Sequence, residues 1–118
     1  MVLYLNIKGG NFVRFDKGSD VTKNIKLIEW MKNELLMSIS DLFNLLFKGV
    51  KPIDGALQDT LANIIMITYL LAKRLGVSFK EIDYKINEKI KIGIKENHSV
   101  ESWYGDLTNL QKHMDNKE

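Results

Sequence analysis

The sequence predicts an all-α protein: a small helical bundle built round one buried helix and preceded by a short β-prone arm. Three observations lead there. The stretch ALQDTLANIIMITYLLAKRL, residues 56–75, carries apolar residues on every side of a helical projection, and a helix that is apolar all round is a buried one. Two flanking stretches repeat apolar residues at helical steps of three and four. One proline and eight glycines in 118 residues are too few for the many tight turns of a sandwich or barrel.

Length and composition set the frame. A chain of 118 residues is one domain by size and long enough to bury a core. A formal net charge of +2 gives no electrostatic footprint for nucleic acid, which is disfavoured as a partner. With no cysteine there is no disulfide and no thiolate metal site. His98 and His113 lie outside any metal-motif spacing. The start MVLYLNIKGG has neither a basic leader nor a long apolar core, and the apolar helix is shorter than the about 20 residues a membrane span needs. The expectation is a cytoplasmic protein without a membrane anchor.

In chain order, residues 2–15 read VLYLNIKGGNFVRF, two β-prone runs about Gly9-Gly10. They predict a small hairpin, or else an ordered arm, within an N-terminal segment 1–20. A lone hairpin is marginal, so it must lean on the helices or pair with another copy. Residues 16–24, DKGSDVTKN, read as a polar joint in which Ser19, Asp20 or Thr22 is the helix cap. The main domain spans 21–114. Apolar residues at 28, 31, 35, 39, 42 and 46 predict a first long helix over 25–47, ended by Gly49. The short link Gly49-Val50-Lys51-Pro52 returns the next helix antiparallel. That buried helix stops at Gly76, with Lys73 and Arg74 on the negative end of its dipole. Ser78-x-x-Glu81 is a capping box, with Val77 and Ile82 placed as a hydrophobic staple. It opens a third helix with Phe79, Ile82, Ile86 and Ile90 on one face, for which Gly93 is the expected end. After a linker over 94–102, Trp103, Leu107, Leu110 and Met114 outline a short amphipathic helix, with the Trp103-Tyr104 pair as the anchor of the C-terminal segment.

Candidate chemistry gathers where the first two long helices face each other. Glu34 sits at the edge of the first apolar stripe, and Asp59 and Asn63 share one face of the buried helix. Antiparallel packing brings the three together, and oxygen ligands from facing helices suit a hard cation such as Mg²⁺. The alternative is structural: Glu34 a boundary carboxylate and Asn63 a core amide that has found a partner, with Asp59 the nearest candidate. Glu29 lies roughly 140° round the helix from Glu34 and fits a solvated pair with Lys26 or Lys32 instead. Lys85 and Lys89, four apart on the third helix, are the candidate phosphate ligands, against the alternative of a solvated face. No glycine-rich phosphate loop and no nucleophilic triad is present.

The order of these pieces over about residues 22–92 resembles the MazG-like family of all-α nucleoside triphosphate pyrophosphohydrolases. DTLANIIMITYLLAKRLGVSFKEID, residues 59–83, is similar to that family's acidic start, apolar helix, Leu-Gly turn and following helix. Glu34-Leu35 matches the glutamate-leucine step of its first motif, and ESWYGDLTNL, 101–110, is similar to the ending of a divergent branch. The resemblance implies hydrolysis of a nucleoside triphosphate to monophosphate and pyrophosphate with Mg²⁺ held by carboxylates of two helices. It also implies a homodimer or larger homo-oligomer that completes the helical core. Glu34 would be the catalytic and metal-binding carboxylate, with Asp59 and Asn63 as further metal ligands. The family pairs two glutamates three apart with a glutamate and an aspartate three apart. Here Met31 stands for the first glutamate, Thr60 for the third and Asn63 for the aspartate, and Asp59 is one residue out of register. The site is thus degenerate, and the alternative to an enzyme is a non-catalytic helical module that binds a nucleotide or another protein chain.

Overall fold

The computed structural model describes residues 3–7, 11–15 and 20–116. Strands β1 (Leu3–Ile7) and β2 (Asn11–Phe15) pair antiparallel, Leu3 opposite Phe15 and Leu5 opposite Val13. Gly9-Gly10 and Ser19 fall outside the described residues. Five helices follow: α1 (Asp20–Lys48), α2 (Ala56–Arg74), α3 (Phe79–Lys95), α4 (Ser99–Tyr104) and α5 (Asp106–Asp115). The chain divides into two compact units, Met1–Gly76 and Val77–Glu118.

In the first unit α1 and α2 form an antiparallel helical hairpin. α1 begins five residues earlier than the apolar pattern indicates, because Asp20 to Asn24 continue the helix rather than form a polar joint. The reason lies at its neighbour's end: the Asn24 side-chain amide donates to the Arg74 carbonyl at 3.1 Å, satisfying one of the carbonyls a helix C-terminus leaves open. α1 ends on Gly49 at φ +68°. The Val50 N–H donates to the Leu45 carbonyl and the Gly49 N–H to the Leu46 carbonyl, the Schellman pattern. A 3₁₀ turn, Pro52–Asp54, then leads into α2.

The core of this unit is Leu27, Met31 and Ser38 from α1 with Ile67 and Ala72 from α2. α2 is buried along one side only within a single chain: Ile67 is 2 % exposed, whereas Ile65 is 58 % and Met66 52 % exposed. One long partner helix covers one side of a helix that is apolar all round, and this corrects the expectation of burial on every side.

In the second unit the capping box is formed in both directions. The Glu81 N–H donates to Ser78 Oγ at 3.1 Å and the Ser78 N–H to Glu81 Oε2 at 2.7 Å. Gly93 does not end α3; the helix runs through it to Lys95. Its role is close approach: a Cβ on Gly93 would lie 2.6 Å from Leu107 Cδ1, so the missing side chain lets α5 dock. The residue that does turn the chain is Asn97 at φ +54°, with His98 N–H bonded to the Gly93 carbonyl and Asn97 N–H to the Ile94 carbonyl. Asparagine tolerates this left-handed conformation better than other side chains do. Trp103 and Tyr104 are 73 % and 72 % exposed, so they are not the anchor of this segment. Gly105 redirects the chain immediately after them, and Leu107 on Gly93 takes that part.

Candidate functional site

The point where α1 and α2 meet is marked by a polar contact inside an apolar seam. Asn63 Nδ2 donates to Ser38 Oγ at 2.6 Å. Ser38 is only 6 % exposed, and a buried hydroxyl or amide without a partner is costly, so each satisfies the other. This corrects the expectation that Asp59 partners Asn63: Asp59 is exposed, as the first-turn acid of α2, where it complements the helix dipole. Ser38 carried no signal as a functional residue. Its position one turn after Glu34 on the stripe face, facing an amide that needed a partner, was the available one.

Glu34 lies half-buried one helical turn before Ser38, hence on the same face. Glu34 and Asn63 therefore border one stretch of the α1–α2 seam. The other positions are occupied differently. Met31 is 7 % exposed and belongs to the core. The Thr60 hydroxyl donates to the Ala56 carbonyl at 2.9 Å within its own helix. Glu29 is exposed and paired with Lys32, 3.1 Å from Oε1, as its place on the helix indicated.

These donors do not fit a Mg²⁺ ion. That cation takes near-octahedral oxygen ligation with carboxylates. Here the candidate positions hold a half-buried carboxylate, Glu34, an amide tied to Ser38 and a buried thioether, Met31. Among the described residues no group of three or more Asp, Glu or His side chains is close enough to hold a metal.

Lys85 and Lys89 lie on α3 in the second unit, exposed and one turn apart. The Lys85 ammonium is 3.2 Å from Glu88 Oε2. That hydrogen bond leads the causes that hold the Glu88 carboxyl below its ordinary value, ahead of opposing desolvation and smaller contributions from Tyr84 and Lys89. Lys85 is thus committed to an acid, as on a solvated helical face. Also on α3, Asn87 Oδ1 is buried with no hydrogen-bond partner among the described residues. Another charged contact of the second unit joins its last helices. The Glu101 carboxylate accepts from the Thr108 N–H at 3.0 Å and from the Thr108 hydroxyl. These bonds, the hydroxyl first and the backbone N–H second, hold its carboxyl below the ordinary value, and through them α4 caps the first turn of α5.

Among the described residues no helix is long and apolar enough to cross a membrane. A family model described as the MazG-like family matches residues 21–107. Comparison with curated proteins and with solved structures returns no significant match.

Proposed function

Since the chain belongs to the MazG-like family, we propose that it is a nucleotide pyrophosphohydrolase-type domain with a degenerate Mg²⁺ site. On this reading its conversion of nucleoside triphosphate to monophosphate and pyrophosphate is weak or absent. The observation that carries the proposal is the Asn63–Ser38 hydrogen bond at 2.6 Å. It ties an uncharged amide into the seam at the position where the family has a carboxylate. Glu34 is then the one acid in register, and the free protein lacks the negative charge that compensates Mg²⁺ for its lost water. A bound triphosphate would bring negative charge of its own, and any residual turnover would depend on Glu34. Lys85 would have to leave Glu88 to meet phosphate beside Lys89. A cytoplasmic setting, which holds both nucleotide and Mg²⁺, suits this chemistry.

The second reading, a non-catalytic helical module for a nucleotide or a protein chain, is favoured by the apolar surface of α1 and α2. Leu36, Phe43 and Phe47 on α1 and Leu61, Ile65 and Met66 on α2 are all exposed. Both readings take the domain to work as a homodimer or larger homo-oligomer, since a surface this apolar calls for a cover.

The test is pyrophosphate release by the purified full chain across a panel of nucleoside triphosphates with Mg²⁺. The expected rate lies far below the about 10 per second of a typical enzyme. Glu34→Gln is expected to remove any residual activity and Glu29→Gln to leave it. Turnover on the ordinary enzyme scale, or equal damage from both substitutions, would overturn the assignment.

A further inference from the structure

The N-terminal hairpin precedes the segment that carries the family fold, and the helical domain does not account for it. β1 and β2 form a two-stranded sheet with no third strand among the described residues. A ribbon of two strands is marginal in water, and among the described residues no further strand pairs with either outer edge. Helices can cover a face of such a ribbon but cannot satisfy its edges; another strand can.

The two edges are not equivalent. Proteins blunt free edges with charge, proline or a bulge. β2, NFVRF, carries Arg14, whereas β1, LYLNI, has neither a charge nor a proline, and its register with β2 runs unbroken from Leu3 to Ile7. β1 is self-complementary about its centre: reversed on itself, apolar positions 3, 5 and 7 meet 7, 5 and 3, and Tyr4 meets Asn6. A twofold axis requires this kind of match, because the same patch must serve both subunits.

We propose that β1 pairs antiparallel with β1 of a second copy of this chain, centred on Leu5, to form a four-stranded sheet across a twofold axis. The pairing satisfies the uncharged edges and leaves the Arg14-bearing strands outermost. It goes beyond the reading of the helical domain and does not depend on whether helices also pair.

The chain has no cysteine, so single introduced thiols report the pairing cleanly. Residues directly opposite in an antiparallel pair have Cα atoms about 4.5–5.5 Å apart, within the roughly 4.4–6.8 Å a disulfide spans. Under oxidised glutathione, Leu5→Cys is expected to convert most of the full chain to a covalent dimer and Val13→Cys little of it. Leu3→Cys and Ile7→Cys are expected to crosslink when mixed but not separately. Circular dichroism of the reduced variants checks that each is folded like the parent. The inference is overturned if Leu5→Cys stays monomeric on a denaturing gel, if Val13→Cys crosslinks as well as Leu5→Cys, or if the mixed pair gives no dimer. Light scattering of the unmodified chain reads total assembly separately. A dimer by scattering without crosslinking at position 5 refutes the strand pairing and leaves helical assembly standing.

Discussion

Asn63→Asp places a carboxylate beside Ser38 in the α1–α2 seam. A serine hydroxyl both donates and accepts, so the Ser38 bond survives with its direction reversed. The charge-assisted bond is worth about 1 kcal/mol more than the neutral one. Against this stands partial desolvation of a carboxylate at a half-buried position, which costs several kcal/mol where burial is complete. The balance is a loss of about 2–3 kcal/mol in metal-free buffer, which at roughly 4 °C per kcal/mol lowers Tm by about 10 °C. If Glu34 shares the site, the variant offers a cation two carboxylates instead of one. Mg²⁺ at a hundred times its Kd returns about 2.7 kcal/mol, so most of the loss is recovered in the variant while wild type is indifferent to the ion. Thermal unfolding by far-ultraviolet circular dichroism, with and without Mg²⁺, measures both effects. A variant as stable as wild type and insensitive to Mg²⁺ would show that Glu34 does not share the site. A wild type strongly stabilised by Mg²⁺ would show that the site is not degenerate.

Two further outcomes concern the second unit. Gly93→Ala gains up to about 1 kcal/mol of helix propensity but drives a methyl to 2.6 Å from Leu107 Cδ1, and overpacking of this kind costs about 1–3 kcal/mol. A net loss near 1 kcal/mol is expected by urea denaturation, and it should become a gain in a Leu107→Ala background, where the clash is absent. Glu101 has a folded-state pKa held below its ordinary value by Thr108, so its contribution is present in full above the unfolded value and is lost as pH falls through the folded one. The stability advantage of wild type over Glu101→Gln is therefore expected to be constant near neutrality and to shrink below about pH 4.5. An advantage that does not change with pH would show that the carboxylate does not act through its charge.

What was legible in the sequence was what depends on local period and local chemistry. The steps of three and four in α1, the capping box at Ser78 and Glu81, and the all-round apolar pattern of α2 each reflect forces acting within a few residues. What was not legible depends on contacts between elements. Asn24 reads as a loop residue until the Arg74 carbonyl is brought within 3.1 Å of it. Gly93 reads as a helix stop, because a glycine required by a neighbour's side chain has the same local signature as one required by backbone conformation. The candidate site divided in the same way. Glu34 and Asn63 fall on facing helices by pattern alone, whereas Ser38, the partner of Asn63, is a small polar residue that periodicity does not mark. Asp59 was drawn to Asn63 by a spacing of four, but a first-turn acid has its own reason to stay in solvent.

On the proposed reading, the same packing accounts for a fold that outlives its site. In a helical pair that holds metal through carboxylates, the ligand positions face the seam and are held apart from hydrocarbon by charge and water. Met31, which on the proposed reading stands at such a position, is 7 % exposed and part of the core. Asn63, on the same reading at the next position, is held by a neutral hydrogen bond to Ser38, without the repulsion that clustered acids exert on a folded protein. On that reading each replacement would exchange charge density for packing. Reversal is correspondingly hard. Met31→Glu would place an unpaired carboxylate in a core with no second acid across the seam, at a cost of several kcal/mol, and Asn63→Asp alone leaves two acids where the family uses four. Recovery of an efficient metal site requires several substitutions at once, each destabilising until the others and the cation are present, whereas the apolar seam that defines the fold requires none of them.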